Sequence, residues 1–209
     1  MKSPCCTQDR VKLSTPFAKG GKFSKDRLKE KVPMEHVHAG DIKCRIKIEV
    51  GYTPGSLGRV AELHGIYYHD HWGFGLFFEA KVAAGLSEFL IRYDESRDGF
   101  WTVAADGRIE GSIAIDGIHG ESEGAHLRWF IVSDALRGKG AGNQLIEAAV
   151  GFCRSRGYGA IYLWTFEGLN AARHLYEKHG FKLADERRGT QWGTEVNEQR
   201  FECRLTRSP

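Results

Sequence analysis

Apolar and polar positions recur along this chain with two different periods, and the switches between them mark out an α/β fold. Residues 44–50 (Cys-Arg-Ile-Lys-Ile-Glu-Val) alternate apolar with charged side chains, which predicts a strand. After Pro54-Gly55-Ser56 the period lengthens. Leu57, Val60, Leu63 and Tyr67 fall on one face of a helix, with Ser56 as a candidate cap. His69-Asp70-His71-Trp72-Gly73 is expected to break it, and a second helix over 75–91 carries Phe77, Val82, Leu86 and Phe89. Residues 100–105 and 108–115 read as strands joined by Asp106-Gly107, a dipeptide suited to a tight hairpin.

Residues 125–132 form a further strand. A helix over 139–156 places Leu145, Ile146, Ala149 and Phe152 on one face. The run 160–165 is almost wholly apolar, as expected of a strand buried on both sides. A helix over 169–179 ends at Gly180, and strands over 181–186 and 198–205 follow. The order β-α-α-β-β-β-α-β-α-β-β predicts a mixed sheet with helices on both faces.

Charge divides the chain. Residues 1–40 hold nine Lys or Arg against four Asp or Glu, whereas the remainder is close to neutral, within a total of +3 over 209 residues. The first 40 residues lack a sustained apolar period and are expected to be a basic, flexible arm, with at most a short helix over 24–31. Residues 41–209 form the globular domain. That domain is too near neutrality for a nucleic-acid binder that uses its whole surface, so nucleic acid is not an expected partner. No run of about 18 apolar residues exists to span a membrane. The start of the chain leads into charged residues, which argues against a secretory signal. Five cysteines, Cys5, Cys6, Cys44, Cys153 and Cys203, fit no zinc spacing and read as reduced thiols of a cytoplasmic protein, with no metal.

The chemistry concentrates after the strand 125–132. Arg137-Gly138-Lys139-Gly140-Ala141-Gly142 opens a helix. Glycines leave an anion unobstructed, the first amides of a helix have no partner within it, and the helix dipole adds positive potential. Arg137 and Lys139 add two full charges. A pyrophosphate would fit. A Walker loop would need Ser or Thr where Gly140 stands, and a dinucleotide fingerprint would follow the first strand of a βαβ unit, not the fourth.

The run 137–142 resembles the Arg/Gln-x-x-Gly-x-Gly/Ala signature of the GNAT N-acetyltransferases, with Val132 five residues ahead of Arg137. Ala172-Arg-His-Leu-Tyr176-Glu-Lys-His-Gly-Phe181 is similar to the family's second signature. The resemblance implies a mostly antiparallel sheet of six to seven strands, splayed in the middle between 125–132 and 160–165. It implies acetyl-CoA as co-substrate and no metal. The binding residues would be Phe130, Ile131, Val132, Arg137, Gly138, Lys139, Gly140, Ala141, Gly142, Asn170 and Arg173. Leu169 stands where the family often has Asn, so Asn170 is either a coenzyme contact one residue late or a helix cap. Tyr176 would stand beside the coenzyme sulfur and protonate the leaving thiolate; otherwise it is a tyrosine packed at a helix end.

His126 occupies the position of the carboxylate base of histone-type members. Strand alternation would put it on one face with Arg128, Phe130 and Val132. It is either the base or part of the substrate wall, and Glu121, Glu123 or a water chain are other candidates. Residues 67–74, rich in aromatics, would cover a small aromatic or cationic amine, with Glu79 or Glu167 pairing its ammonium and 189–193 forming the opposite wall; otherwise 67–74 is a core-packing turn with surface histidines and the two carboxylates are solvated. Acetyl transfer to a primary amine of a small molecule or peptide is the implied activity; the alternative is an acyl-CoA sensor without turnover. The resemblance also allows a homodimer. The chain is further similar to acetyltransferase domains fused to MarR-type regulators, but 40 residues are too few for a winged helix.

Overall fold

The computed structural model describes residues 46–205. The arm expected over 1–40, its helix over 24–31, and the start of the first strand at Cys44 lie outside those residues. The described elements are β1 (Lys47–Val50), α1 (Ser56–Trp72), α2 (Leu76–Ile91), β2 (Gly99–Ala105), β3 (Arg108–Asp116), β4 (Ala125–Val132), α3 (Ala141–Ser155), β5 (Ala160–Phe166), α4 (Asn170–Lys178), β6 (Lys182–Gly189) and β7 (Val196–Arg204). A single 3-10 turn, Asp134–Leu136, leads into the glycine-spaced loop.

Seven strands form one sheet in the order β1-β2-β3-β4-β5-β7-β6. All neighbours are antiparallel except β4 and β5. That parallel pair makes contact only at Ala125↔Ile161 and His126↔Tyr162. Beyond Leu127 the two strands diverge, so the sheet splits into two halves joined at one end.

Alternation along the strands feeds two cores. Val103, Ile113, Ile115 and Leu127 meet Leu145, Ile146 and Ala149 of α3 on one face, joined by Tyr176 from α4 and Phe181. On the other, Phe100, Ala114, Trp129 and Phe166 meet Val60 of α1 and Phe78, Val82, Leu86 and Phe89 of α2. Each large apolar side chain buried this way stabilises the fold by about 1.5–3 kcal/mol before entropy is counted.

Two local expectations are corrected. The helix over 56–72 does not break at His69. It runs on to Trp72 and stops at Gly73, whose φ of 66° is the left-handed conformation that suits glycine. His71 Nδ1 donates to the Tyr67 carbonyl one turn back and the two rings stack at 4.4 Å, so the polar run is the outward face of a continuing helix.

The simple alternation along β4 also fails. Ser112 faces Ile131, but Ala114 faces Arg128, so β4 carries one residue more than β3 between these pairs. Trp129 takes φ 46° to absorb it, and the buried Ser112 hydroxyl donates to the Trp129 carbonyl at 2.7 Å. Arg128 and Trp129 therefore both turn to the α2 side, while Phe130 and Val132 join the α3 core. His126 does not share a face with Phe130 and Val132.

Candidate active site

The glycine-spaced loop has the geometry expected of an anion cradle. Gly138 and Gly140 sit at φ 73° and 79°, and a Cβ on either would meet nothing within 4 Å. These glycines are required by backbone conformation, with open space in front of them. Helix α3 starts at Ala141 with Gly140 as its N-cap and no side-chain cap, which leaves its first amides pointing outward. The helix expected from Lys139 thus begins two residues later, with Lys139 in the loop. Gly142 packs the helix start onto the site, because a Cβ there would lie 3.2 Å from Leu175, 3.6 Å from Phe130 and 3.8 Å from Val132.

The divergence of β4 from β5 turns backbone groups toward a gap. The Ser133 N–H donates to the Glu110 carbonyl on the β3 side. Alternation then directs the Val132 N–H away from β3, toward the side where β5 has already departed. Cradle, gap and α4 are therefore contiguous, and their donors fit a diphosphate joined to a slender amide-bearing chain.

Around the divergence lies a cavity of about 180 Å³. Tyr176 reaches it from α4. Its ring is 6% exposed and packs on Phe130, Phe181 and Phe201 at centroid distances of 5.9, 6.0 and 6.1 Å. Burial first, then the neighbouring Tyr68, raise its pKa well above that of free tyrosine, so the hydroxyl stays protonated. Among the described residues it has no hydrogen-bond partner, which leaves it as a donor facing the cavity.

His126 sits where β4 and β5 last touch, its ring stacked on Tyr162 at 4.4 Å. Burial, then the Arg128 charge, lower its pKa to about 3. It is neutral at physiological pH, as expected, but too weak a base to retain a proton there. A second cavity of about 230 Å³, bounded by Arg92, Asp116, His119 and Tyr162, shares the His126–Arg128 wall with the first.

The remaining expected residues divide. Arg137 is exposed and pairs with Asp134 at 2.6 Å, at the edge of the cradle. Asn170 is the first residue of α4, and neither it nor Leu169 caps the helix by a side-chain hydrogen bond. The cap alternative therefore fails. Arg173, exposed on the first turn of α4, pairs with Glu177 at 2.8 Å and lies 5.7 Å from the centre of the Phe201 ring. Of the acceptor wall, Tyr68, Gln191 and Trp192 line the cavity, whereas Glu79 and Glu167 do not. Among the described residues no group of His, Cys, Asp and Glu is arranged to hold a metal ion.

Two cavity residues escaped the sequence reading. His64 lies on the apolar face of α1, 5% exposed. Its Nδ1 donates to the Val60 carbonyl at 2.8 Å, which fixes the neutral tautomer and leaves Nε2 as an acceptor. Burial lowers its pKa to about 4, against a smaller upward effect of that hydrogen bond. Lys81 of α2 donates to the Gln191 carbonyl. His64 occupies a core position of the helical period, so the signal was there but read as packing; Lys81 carried no signal.

Residues 57–181 match the model of the Acetyltransferase (GNAT) family. An uncharacterised N-acetyltransferase of Methanocaldococcus jannaschii is 27% identical over 124 residues, 56% of this chain and 54% of that protein. A Xenopus tropicalis protein named "Probable N-acetyltransferase camello" is 30% identical over 83 residues, 40% of this chain and 38% of that protein. The chain thus spans about half the length of the curated relatives it matches, or less. Among solved structures, a GNAT-family acetyltransferase from Staphylococcus aureus superposes with a TM-score of 0.61 at 17% identity, covering 78% of this chain and 100% of that one. The protein yncA of Salmonella typhimurium, solved with its cofactor acetyl-CoA, gives 0.60 at 12% identity, covering 79% and 96%. These structures share the fold: an open, mostly antiparallel sheet of seven strands flanked by helices. With cradle, divergent strands and family match in agreement, this chain belongs to the GNAT family of acetyltransferases.

Proposed function

We propose that the protein is an N-acetyltransferase that moves an acetyl group from acetyl-CoA to a primary amine of a small molecule or peptide, by direct attack in a ternary complex. The observation that carries this reading is the unpartnered Tyr176 hydroxyl at the divergence of β4 and β5, beside an open cradle. An acyl-CoA sensor needs the cradle but has no use for a phenol aimed at a leaving group.

The outward amides at the start of α3, with Gly138, Gly140, Lys139 and Arg137, would hold the diphosphate. The Val132 amide and its neighbours Phe130 and Ile131 would hold the amide-bearing arm in the gap. Bound there, acetyl-CoA supplies a thioester-activated acetyl group: a C–N bond forms, the C–S bond breaks, and a thiolate leaves. Tyr176 donates a hydrogen bond to that thiolate. Full proton transfer from even an unperturbed phenol to a thiolate is uphill by about 2 kcal/mol, and burial makes it costlier, so solvent supplies the proton in the end. His126 stays neutral and passes the proton of the amine toward water without storing it. Asn170 and Arg173, both exposed on the first turn of α4, would reach the outer part of the coenzyme.

Calorimetry with acetyl-CoA and thiol release with a panel of amines test the reading together. A folded sample that gives no heat with acetyl-CoA refutes it.

A further inference from the structure

The cavity that holds the Tyr176 hydroxyl is lined by full charges of one sign. Arg128 and Lys81 are part of its wall, and no Asp or Glu is. Arg128 is held in place: Nη1 donates to Asp116 at 3.2 Å, and the guanidinium lies 4.0 Å over the Trp129 ring. Its Nη2 makes no hydrogen bond among the described residues and is not fully buried, in a side chain that lines both this cavity and the second one. Gly85 on α2 leaves room for it, since a Cβ there would come within 3.3 Å of Nη2. Asp116 does not cancel the charge, because it also binds Arg92. Arg92, Arg97 and Arg128 share two buried carboxylates, Asp98 and Asp116. Lys81 is tied to the Gln191 carbonyl at the rim next to Trp192. Most of the rest of the wall is aromatic or aliphatic, with Tyr68, Phe78, Trp129 and Phe166 beside Val82 and Leu163.

From this lining we infer that the acceptor is an amine that also carries a carboxylate and an apolar or aromatic body, the chemistry of an apolar amino acid. The free edge of Arg128 takes the carboxylate, which a planar guanidinium can bind through two parallel hydrogen bonds. The aromatic wall takes the body. The inference rests on the acetyltransferase reading above. It narrows the expectation of an aromatic or cationic amine: no Asp or Glu lines this cavity to pair a second ammonium, and two fixed cations repel one. The same repulsion disfavours the protonated form of the amine that is to react, so the acceptor enters as the neutral nucleophile the chemistry needs. Neutral His64 and His126 add no positive charge to the site.

The test compares acceptors matched in shape. With the full chain and acetyl-CoA, thiol release is followed for phenylalanine against phenylalaninamide and phenylethylamine, for tryptophan against tryptamine, and for spermidine. The carboxylate-bearing member of each set is expected to show kcat/KM at least about ten-fold higher than its carboxylate-free counterpart. Arg128→Gln should shrink that ratio to about three-fold or less, through the KM of the amino acid and not that of acetyl-CoA. Lys81→Met, at an exposed position, provides a second reading if Arg128→Gln fails to fold. Preference for the amide, the simple amine or spermidine overturns the inference, as does a ratio that neither variant moves. If calorimetry shows acetyl-CoA bound while no amino carboxylate turns over, the acceptor assignment is refuted and the coenzyme site stands. If acetyl-CoA does not bind, the acetyltransferase reading itself has failed.

Discussion

Replacing Tyr176 by phenylalanine removes one oxygen and nothing else from the packing. The ring stays wedged among Phe130, Phe181 and Phe201. The hydroxyl has no protein partner in the described residues, so no buried group is orphaned by its loss. Folding stability should therefore change by less than about 0.5 kcal/mol, a shift in Tm of no more than about 2 °C for a domain of this size. Turnover should behave differently. A hydrogen bond to a charged group contributes about 1.5–3 kcal/mol, and here the charge appears on sulfur only as the C–S bond breaks. At 1.4 kcal/mol per factor of ten, kcat should fall about 10- to 150-fold. In the proposed binding mode the coenzyme is gripped at the start of α3, so its Kd should stay within about two-fold. Steady-state thiol release at saturating acetyl-CoA, with calorimetry on the same sample, separates the two quantities. A kcat within three-fold of the parent, or a Kd that rises in parallel with the loss of kcat, would refute the placement of the hydroxyl at the leaving group.

The cradle can be probed by Gly140→Ala, which forces alanine to φ 79° in open space; the strain of about 1–2 kcal/mol should raise the acetyl-CoA Kd about ten-fold, and an unchanged Kd would show that the loop does not grip the coenzyme. Ser112→Ala removes the clamp on the Trp129 carbonyl and should cost about 1–3 kcal/mol by denaturant titration, with a loss of kcat on top. Acid should destabilise the fold through its buried neutral histidines. His64 has a folded pKa near 4, below its unfolded value, so the unfolded chain binds the extra proton. Its contribution, of order 3 kcal/mol, is complete above about pH 6.5 and is lost as pH falls toward 4; His64→Gln should flatten that part of the stability curve. For the same reason His126→Ala should leave any ascending limb of the pH–rate profile above pH 5 in place, and a displaced limb would restore His126 as the base.

Much of this architecture was legible because local periodicity and tertiary context agree. Each described strand and helix lies within a few residues of its expected position, and the glycines of the cradle could be read directly because few residues other than glycine accept φ near 75°. The misreadings share a cause. His69 to Trp72 looked polar enough to end a helix, yet a helix with one face in water tolerates such a run until a glycine stops it. The face assigned to Phe130 and Val132 was wrong because strict alternation assumes an unbroken ladder. One inserted residue at Trp129 reverses every side chain beyond it, and no local composition marks that position. The sign of the cavity lining was equally hidden, since Lys81, Arg128 and Trp192 meet only in the folded chain.

The early parting of β4 and β5 leaves two strand edges inside the molecule, not at its rim. An unpaired edge ordinarily invites another polypeptide to add itself, and proteins guard the outermost strands of a sheet against this. Here the exposed ladder lies within a cleft closed at one end by the two residue pairs at Ala125 and His126, with side chains crowding both faces. A second protein strand would have to bring its own side chains past those faces to reach this edge, whereas a thin ligand bearing a few amides would not. The opening thus keeps this unpaired backbone away from the rim of the sheet, and filling in the missing strand pairing by design would close the slot.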